Sequence, residues 1–232
     1  MTVRSVPLVD GEYYHIYSRG NSKQKIFLDR KDYEHFIKCL FVFNSHKSFK
    51  FRNDSSRLQI DPFDFDRGEL LVSIGAWVLM PNHFHIYIRT NPHKSDLCKV
   101  DKNRISEFMR KVLTAYAKYF NLKYNRTGGL FEGKFKSVHI KNDNQAKYLF
   151  SYQHLNPIKL IQKDWKEVGI KDYKKALEFL EGYIWSSYLD HKGVKRKENI
   201  IINLEHFPNY FSVMKDFDQE ILTWLKYVDN KS

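Results

Sequence analysis

The sequence predicts an α+β fold built on a four-stranded antiparallel sheet. Three observations predict it. Short extended segments and long stretches of helical periodicity occur in the order strand, helix, strand, strand, helix, strand. One segment, 69–80, is nearly all apolar, as a strand buried on both faces must be. The chain has 232 residues and is 42% hydrophobic, enough to bury a sizeable core in one large domain with an appendage.

The first strand spans Glu12 to Arg19, with Tyr13, His15, Tyr17 and Arg19 on one face and Tyr14, Ile16 and Ser18 on the other. Gly20-Asn21-Ser22 is a turn. Asp29 caps a helix from Arg30 to Asn44, whose apolar stripe holds Tyr33, Phe36, Ile37, Leu40 and Phe41. Residues 45–68 are polar and read as a long excursion inserted into the domain. The second strand runs from Glu69 to Met80, and Pro81-Asn82 reverses into the third, His83 to Arg89. A polar loop reaches Asn103. Ile105, Phe108, Met109, Val112, Tyr116 and Phe120 then recur at helical spacing. Gly128-Gly129 breaks the chain before a fourth strand, Lys134 to Lys141. Asp143 or Asn144 caps a helix through Leu155, and Asn156-Pro157 ends it. Residues 1–158 are read as one domain and 159–232 as a C-terminal helical extension, with helices over Tyr173–Leu180 and Asp218–Val228 and Trp185 in a core. In this topology the first and third strands are central neighbours. The set His83, His85, Tyr87 and Arg89 then flanks Tyr13, His15, Tyr17 and Arg19 on the face away from the two helices. The helix after residue 142 is free to lie across that face.

Lys plus Arg number 39 against 27 Asp plus Glu, a net charge of +12 that suits a polyanionic partner. Eighteen Phe and 15 Tyr sharpen this, because single-strand binders combine positive grooves with stacking rings. Cys39 and Cys98 form neither a zinc pattern nor a disulfide framework, which fits a reducing cytoplasm. No stretch has the apolar length of a membrane span, and no leader is recognisable.

The chemistry centres on His83-Phe84-His85. Two residues apart on a strand, the imidazoles share a face about 7 Å from each other and can close on one metal ion. Tyr152 and Asn156, four apart on a helix, fall about 40° from each other, so a phenol and an amide oxygen can approach the same ion. His83, His85 and Asn156 would make a neutral ligand set around a divalent cation. Tyr148, one turn before Tyr152, is a rival nucleophile. Tyr13, His15, Arg19, Lys134 and Lys136 are candidate DNA contacts; the charges among them serve equally as solvated strand ends, and His15 equally as a buried, hydrogen-bonded group.

The histidine pair after Met80-Pro81-Asn82, and Tyr152 and Asn156 within Tyr-x-His-Leu-Asn-Pro, resemble the HUH-type Y1 tyrosine transposases. They are most similar to the branch associated with repetitive extragenic palindromes and to IS200-like transposases. Residues 129–137 and 183–188 also look like that branch, so the resemblance spans about Tyr13 to Tyr188. It implies a ferredoxin-like fold with His83, His85 and Asn156 as ligands of Mg2+ or Mn2+ and Tyr152 as nucleophile. It further implies cleavage and rejoining of single-stranded DNA near hairpins through a 5′-phosphotyrosine, and a homodimer with two sites for two DNA ends, which the residues themselves leave open. Segment 45–68 and the chain after Tyr188 depart from the family pattern. Two other classes fit the same residues: a non-transposing nucleic-acid-binding module, and a metal-dependent nuclease that uses water.

Overall fold

Strands β1 (Tyr13–Arg19), β2 (Val72–Met80), β3 (His83–Thr90) and β4 (Lys136–Ile140) form one antiparallel sheet in the order β2-β3-β1-β4. This computed structural model of the chain describes residues 7–51, 61–90, 103–208 and 217–224. The predicted central pair is present, with Arg19 opposite His83, Tyr17 opposite His85, His15 opposite Tyr87 and Tyr13 opposite Arg89. Period-two alternation does the sorting. Tyr14, Ile16, Phe84, Ile86 and Ile88 enter the core beneath helices α1 (Arg30–Val42) and α2 (Arg104–Lys123), and the histidines take the other face. All nine residues of β2 are buried, as its composition requires.

Asp29 caps α1 reciprocally. Its Oδ1 accepts the Asp32 N–H, while Asp32 Oδ2 accepts the N–H groups of Asp29 and Leu28. Lys123 Nζ at the end of α2 reaches Oδ1 of both carboxylates at 2.7 Å. The buried Asp32 thus joins the two helices with its charge paired.

The predicted caps of the third helix are corrected. Helix α3 (Asp143–Leu155) starts one residue earlier, because Asn142 holds extended backbone and its side chain accepts the Gln145 N–H. That leaves Asp143 in the first turn, where a carboxylate favours the helix dipole. At its other end the chain continues as a tight 3-10 turn, Asn156–Leu160. The excursion at 45–68 is also folded more closely than its polarity suggests. Phe49 is buried, Phe63 packs its ring at a tilt against Phe41, and Phe65 lies 4.9 Å from Phe49 between ring centres. Residues 52–60 of that excursion lie outside the described residues, as do Cys98 and the chain beyond 224.

The second face of the sheet is covered by α3 together with residues beyond 158. These include the short α4 (Trp165–Val168), α5 (Tyr173–Gly182), α6 (Tyr188–His191) and α7 (Phe217–Trp224). Phe207 packs its ring against Tyr13 and Tyr87 at 5.4 and 5.1 Å. Trp185, partly buried at the margin of the core, stacks on Tyr33 at 4.6 Å. Ser186 bridges Val78, with Leu79 N–H donating to Trp185 O and Ser187 N–H donating to Trp77 O, so this segment lines the outer edge of β2. Among the described residues no helix is long and apolar enough to cross a membrane.

Gly75 sits at a β2 irregularity, where an added Cβ would lie 2.6 Å from the Phe207 ring. Gly75→Ala should cost about 1–3 kcal/mol in denaturant unfolding. Phe207→Ala in the same chain should recover part of that loss, and strict additivity of the two changes would refute the contact.

Candidate active site

His83 and His85 stand at the end of β3 nearest the Pro81-Asn82 reversal, their ring centres 5.0 Å apart. His83 Nδ1 lies 2.7 Å from Asn82 Oδ1, which fixes the proton on Nδ1 and leaves Nε2 as a lone pair. His85 Nδ1 lies 2.7 Å from His15 Nε2, and His85 Nε2 is buried with no hydrogen-bond partner. With the proton of His85 on Nδ1, donated to His15, the orphaned Nε2 is a bare lone pair. A ring whose far nitrogen is oriented by a neighbour while the near one is left open is the arrangement of a metal-binding histidine. His15 is thereby a supporting group for His85, a role the alternation places on the right face but cannot specify.

Tyr152 comes to the same place. On α3 its ring centre is 5.7 Å from that of His85, and Asn156 Nδ2 lies 3.5 Å from its Oη. Asn156, 2% exposed, turns its amide nitrogen toward the phenol, which leaves Oδ1 as the acceptor for a cation. Among the described residues no group of three His, Cys, Asp or Glu side chains is gathered as a metal site. Two imidazoles and one carboxamide are a different donor set, and the lone pair orphaned on His85 fits it.

The site is electrically neutral at its centre. Burial, then Lys166, holds His15 down at about 3; burial, then Lys159 and Arg19, holds His83 at about 4. His85 is pushed well below its ordinary value, first by burial and then by His15, His83 and Lys166. All three imidazoles are therefore neutral at pH 7, the form that ligates. Burial, then Tyr148, raises the Tyr152 phenol, against a smaller opposing effect of the Asn156 hydrogen bond.

Sequence reasoning missed Lys159 and Lys166. Lys166 Nζ sits 3.9 Å from the centre of the Tyr152 ring, on the wall of a cavity of about 540 Å3. Burial, then Lys159, lowers its pKa. The run of lysines after Pro157 is visible, but the turn that folds Lys166 back over α3 has no local signature.

The remaining candidates fall in two places. Arg19, Lys134 and Lys136 surround a small recess of about 70 Å3 with Glu132, which pairs with Arg19 through its Oε1 and Oε2. They are exposed and adjoin the histidines through the Arg19–His83 register. Tyr13 is not brought to the site. It shares the face of His15, two residues farther along β1 from His83, and its side chain is engaged elsewhere. Its hydroxyl donates to His206 O and its ring packs on Phe207. Tyr148 lies one turn from Tyr152 with its ring nearly parallel, 7° between planes, and lines the same cavity.

No protein-family model matches the chain, and no curated protein is similar to it in sequence. Among solved structures, that of a REP-associated tyrosine transposase bound to a REP hairpin is similar with a TM-score of 0.47 and 14% identity, covering 85% of this chain and 90% of that one. The likeness is one of overall architecture.

The neutral histidines carry a pH signature. Their folded values, about 3 and about 4, lie below the ~6.5 of an unfolded imidazole, so the unfolded chain takes up protons first. Stability from this source is complete above about pH 6.5 and is lost as pH falls toward 4 and then 3. Denaturant midpoints from about pH 7 to about pH 4 should fall accordingly. His15→Gln, which keeps a hydrogen-bonding group without the titration, should flatten the slope; an unaltered slope would contradict the assignment.

Proposed function

We propose that the chain is a metal-dependent tyrosine transposase, a DNA strand transferase that cuts and rejoins single-stranded DNA near hairpins. The observation that carries this reading is the convergence of Tyr152, Asn156 and His85: ring centres 5.7 Å apart and an amide 3.5 Å from the phenolic oxygen. A basic chain with aromatic surfaces suits a nucleic-acid substrate, and His83, His85 and Asn156 suit a divalent cation, Mg2+ or Mn2+. Bound there, such an ion would supply Lewis acidity toward a non-bridging phosphate oxygen.

The chain's own residues account for the rest. Tyr152 Oη attacks the scissile phosphorus, the bond from phosphorus to the 3′ oxygen breaks, and a 5′-phosphotyrosine forms beside a free 3′-hydroxyl. The phenolic proton leaves to water in the adjoining cavity, and the departing 3′ oxygen takes one up. Because the diester energy is kept in the tyrosyl linkage, a 3′-hydroxyl can later reverse the attack; a water nucleophile would forfeit it. Neutral imidazoles would leave the charge of such an ion undiminished, and the Lys166 ammonium over the Tyr152 ring favours charge that develops on the phenol. Arg19, Lys134 and Lys136 would hold flanking phosphates.

The purified chain, incubated with single-stranded hairpin DNA and Mg2+ or Mn2+, should form a covalent adduct that survives denaturing electrophoresis. Tyr152→Phe should abolish it and Tyr148→Phe should retain it. His83→Ala should lower it on the order of 100-fold or more, the scale of losing the ion's action. Cleavage that persists in Tyr152→Phe would replace this reading with a water-using nuclease. Hairpin binding without cleavage under any divalent ion would replace it with a binding module.

A further inference from the structure

The cavity of about 540 Å3 beside Tyr152 is larger than attack on a phosphate requires. It lies in the size range of pockets that enclose small organic ligands, about 300–1,000 Å3. Two aromatic pairs wall it. His15 and Tyr17 stack on β1 with ring centres 4.9 Å apart and planes at 29°, while Tyr148 and Tyr152 on α3 hold their planes within 7°. Val138 of β4, 46% exposed, and Leu149 add apolar surface. No carboxylate lines the cavity among the described residues, and Lys166 is its one lysine or arginine. A flat, uncharged, polarisable ligand attached to an anion matches each of these properties.

We propose that this cavity receives one unpaired nucleobase of the DNA strand, the base next to the phosphate that Tyr152 attacks, with Lys166 gripping the backbone beside it. The inference rests on the reading of the site as a single-strand DNA transferase and adds a specificity pocket to it. Tyr148 then serves as a stacking surface rather than as a second nucleophile. Its parallel orientation to Tyr152 lets a base lie flat against the α3 wall while the neighbouring phosphate stays within reach of Tyr152 Oη. Extrusion costs little here, because a base outside the hairpin stem has no pairing partner to give up.

The test separates binding from chemistry. Full-length Tyr152→Phe protein, which keeps the ring and cannot form the adduct, is titrated in chelator with hairpins that carry a single-stranded flank. An abasic site is moved through that flank one position at a time, and affinity is read by fluorescence anisotropy. One position should stand out, weakening binding about tenfold, the scale of one lost stacked base. Val138→Trp, which fills the cavity from its exposed rim, should weaken the intact hairpin by a similar factor and abolish the sensitivity to that position. Tyr148→Ala, which empties the wall instead of filling it, should do the same, so a folding defect in one variant does not decide the result. A flat abasic scan, an absence of hairpin binding, or variants that bind and discriminate as before would overturn the pocket. The measurement needs no cleavage, so a failure of the covalent mechanism and a failure of the pocket are seen separately.

Discussion

The hydrogen bond between His154 and Ser187 decides where Tyr152 stands. His154 is fully buried on α3, and its Nδ1–H donates to Phe150 O at 2.8 Å. That leaves Nε2 as an acceptor, 2.8 Å from Ser187 Oγ. Ser187 Oγ in turn accepts the Trp77 N–H at 3.0 Å, so one hydroxyl ties α3 to β2 in addition to their apolar packing. Tyr152 precedes His154 by two residues and points about 200° away around the helix. Anchoring the histidine side therefore presents the phenol to His85. Loss of either partner would leave a buried polar atom unpaired, at a cost of about 1–3 kcal/mol in addition to the misplaced helix.

This linkage also explains what sequence reasoning could and could not reach. Alternation along β1 and β3 places His83, His85 and His15 on one face, because a strand admits only two faces and the other is claimed by Ile16, Phe84 and Ile86. The four-residue spacing of Tyr152 and Asn156 places them together because a helix repeats on that scale. Both inferences are local. Lys166 reaches Tyr152 only through the fold of the 3-10 turn Asn156–Leu160 and the segment after it, and Ser187 meets His154 across 33 residues of chain. Such contacts are set by packing, which leaves no spacing to read. Tyr13 shows the same limit from the other side. The alternation puts it on the correct face, but the arrival of Phe207 and the carbonyl of His206 engages it away from the histidines.

Charge is divided between two zones. A chain with a net charge of +12 surrounds a centre whose imidazoles are uncharged, and the cations stand around it: Arg19, Lys134 and Lys136 on the β4 side, Lys159 and Lys166 on the α3 side. The outer charges act over distance, are screened by salt, and would draw a polyanion toward the sheet. The inner groups act at contact, where desolvation strengthens each dipole and keeps the lone pairs of the histidines free.

The strip formed by Trp185, Ser186 and Ser187 has a meaning for the life of the chain before it is finished. β2 is a nine-residue apolar strand at a margin of the sheet, the type of segment that templates intermolecular pairing when its amide groups are left open. Those three residues occupy part of that margin, and they emerge from synthesis about a hundred residues after it. During that interval the nascent polypeptide carries an adhesive border, and products that stop short of Trp185 keep it for good. The segment that holds α3 in place is therefore also the one that closes this border, and it can do so only once the chain is nearly complete.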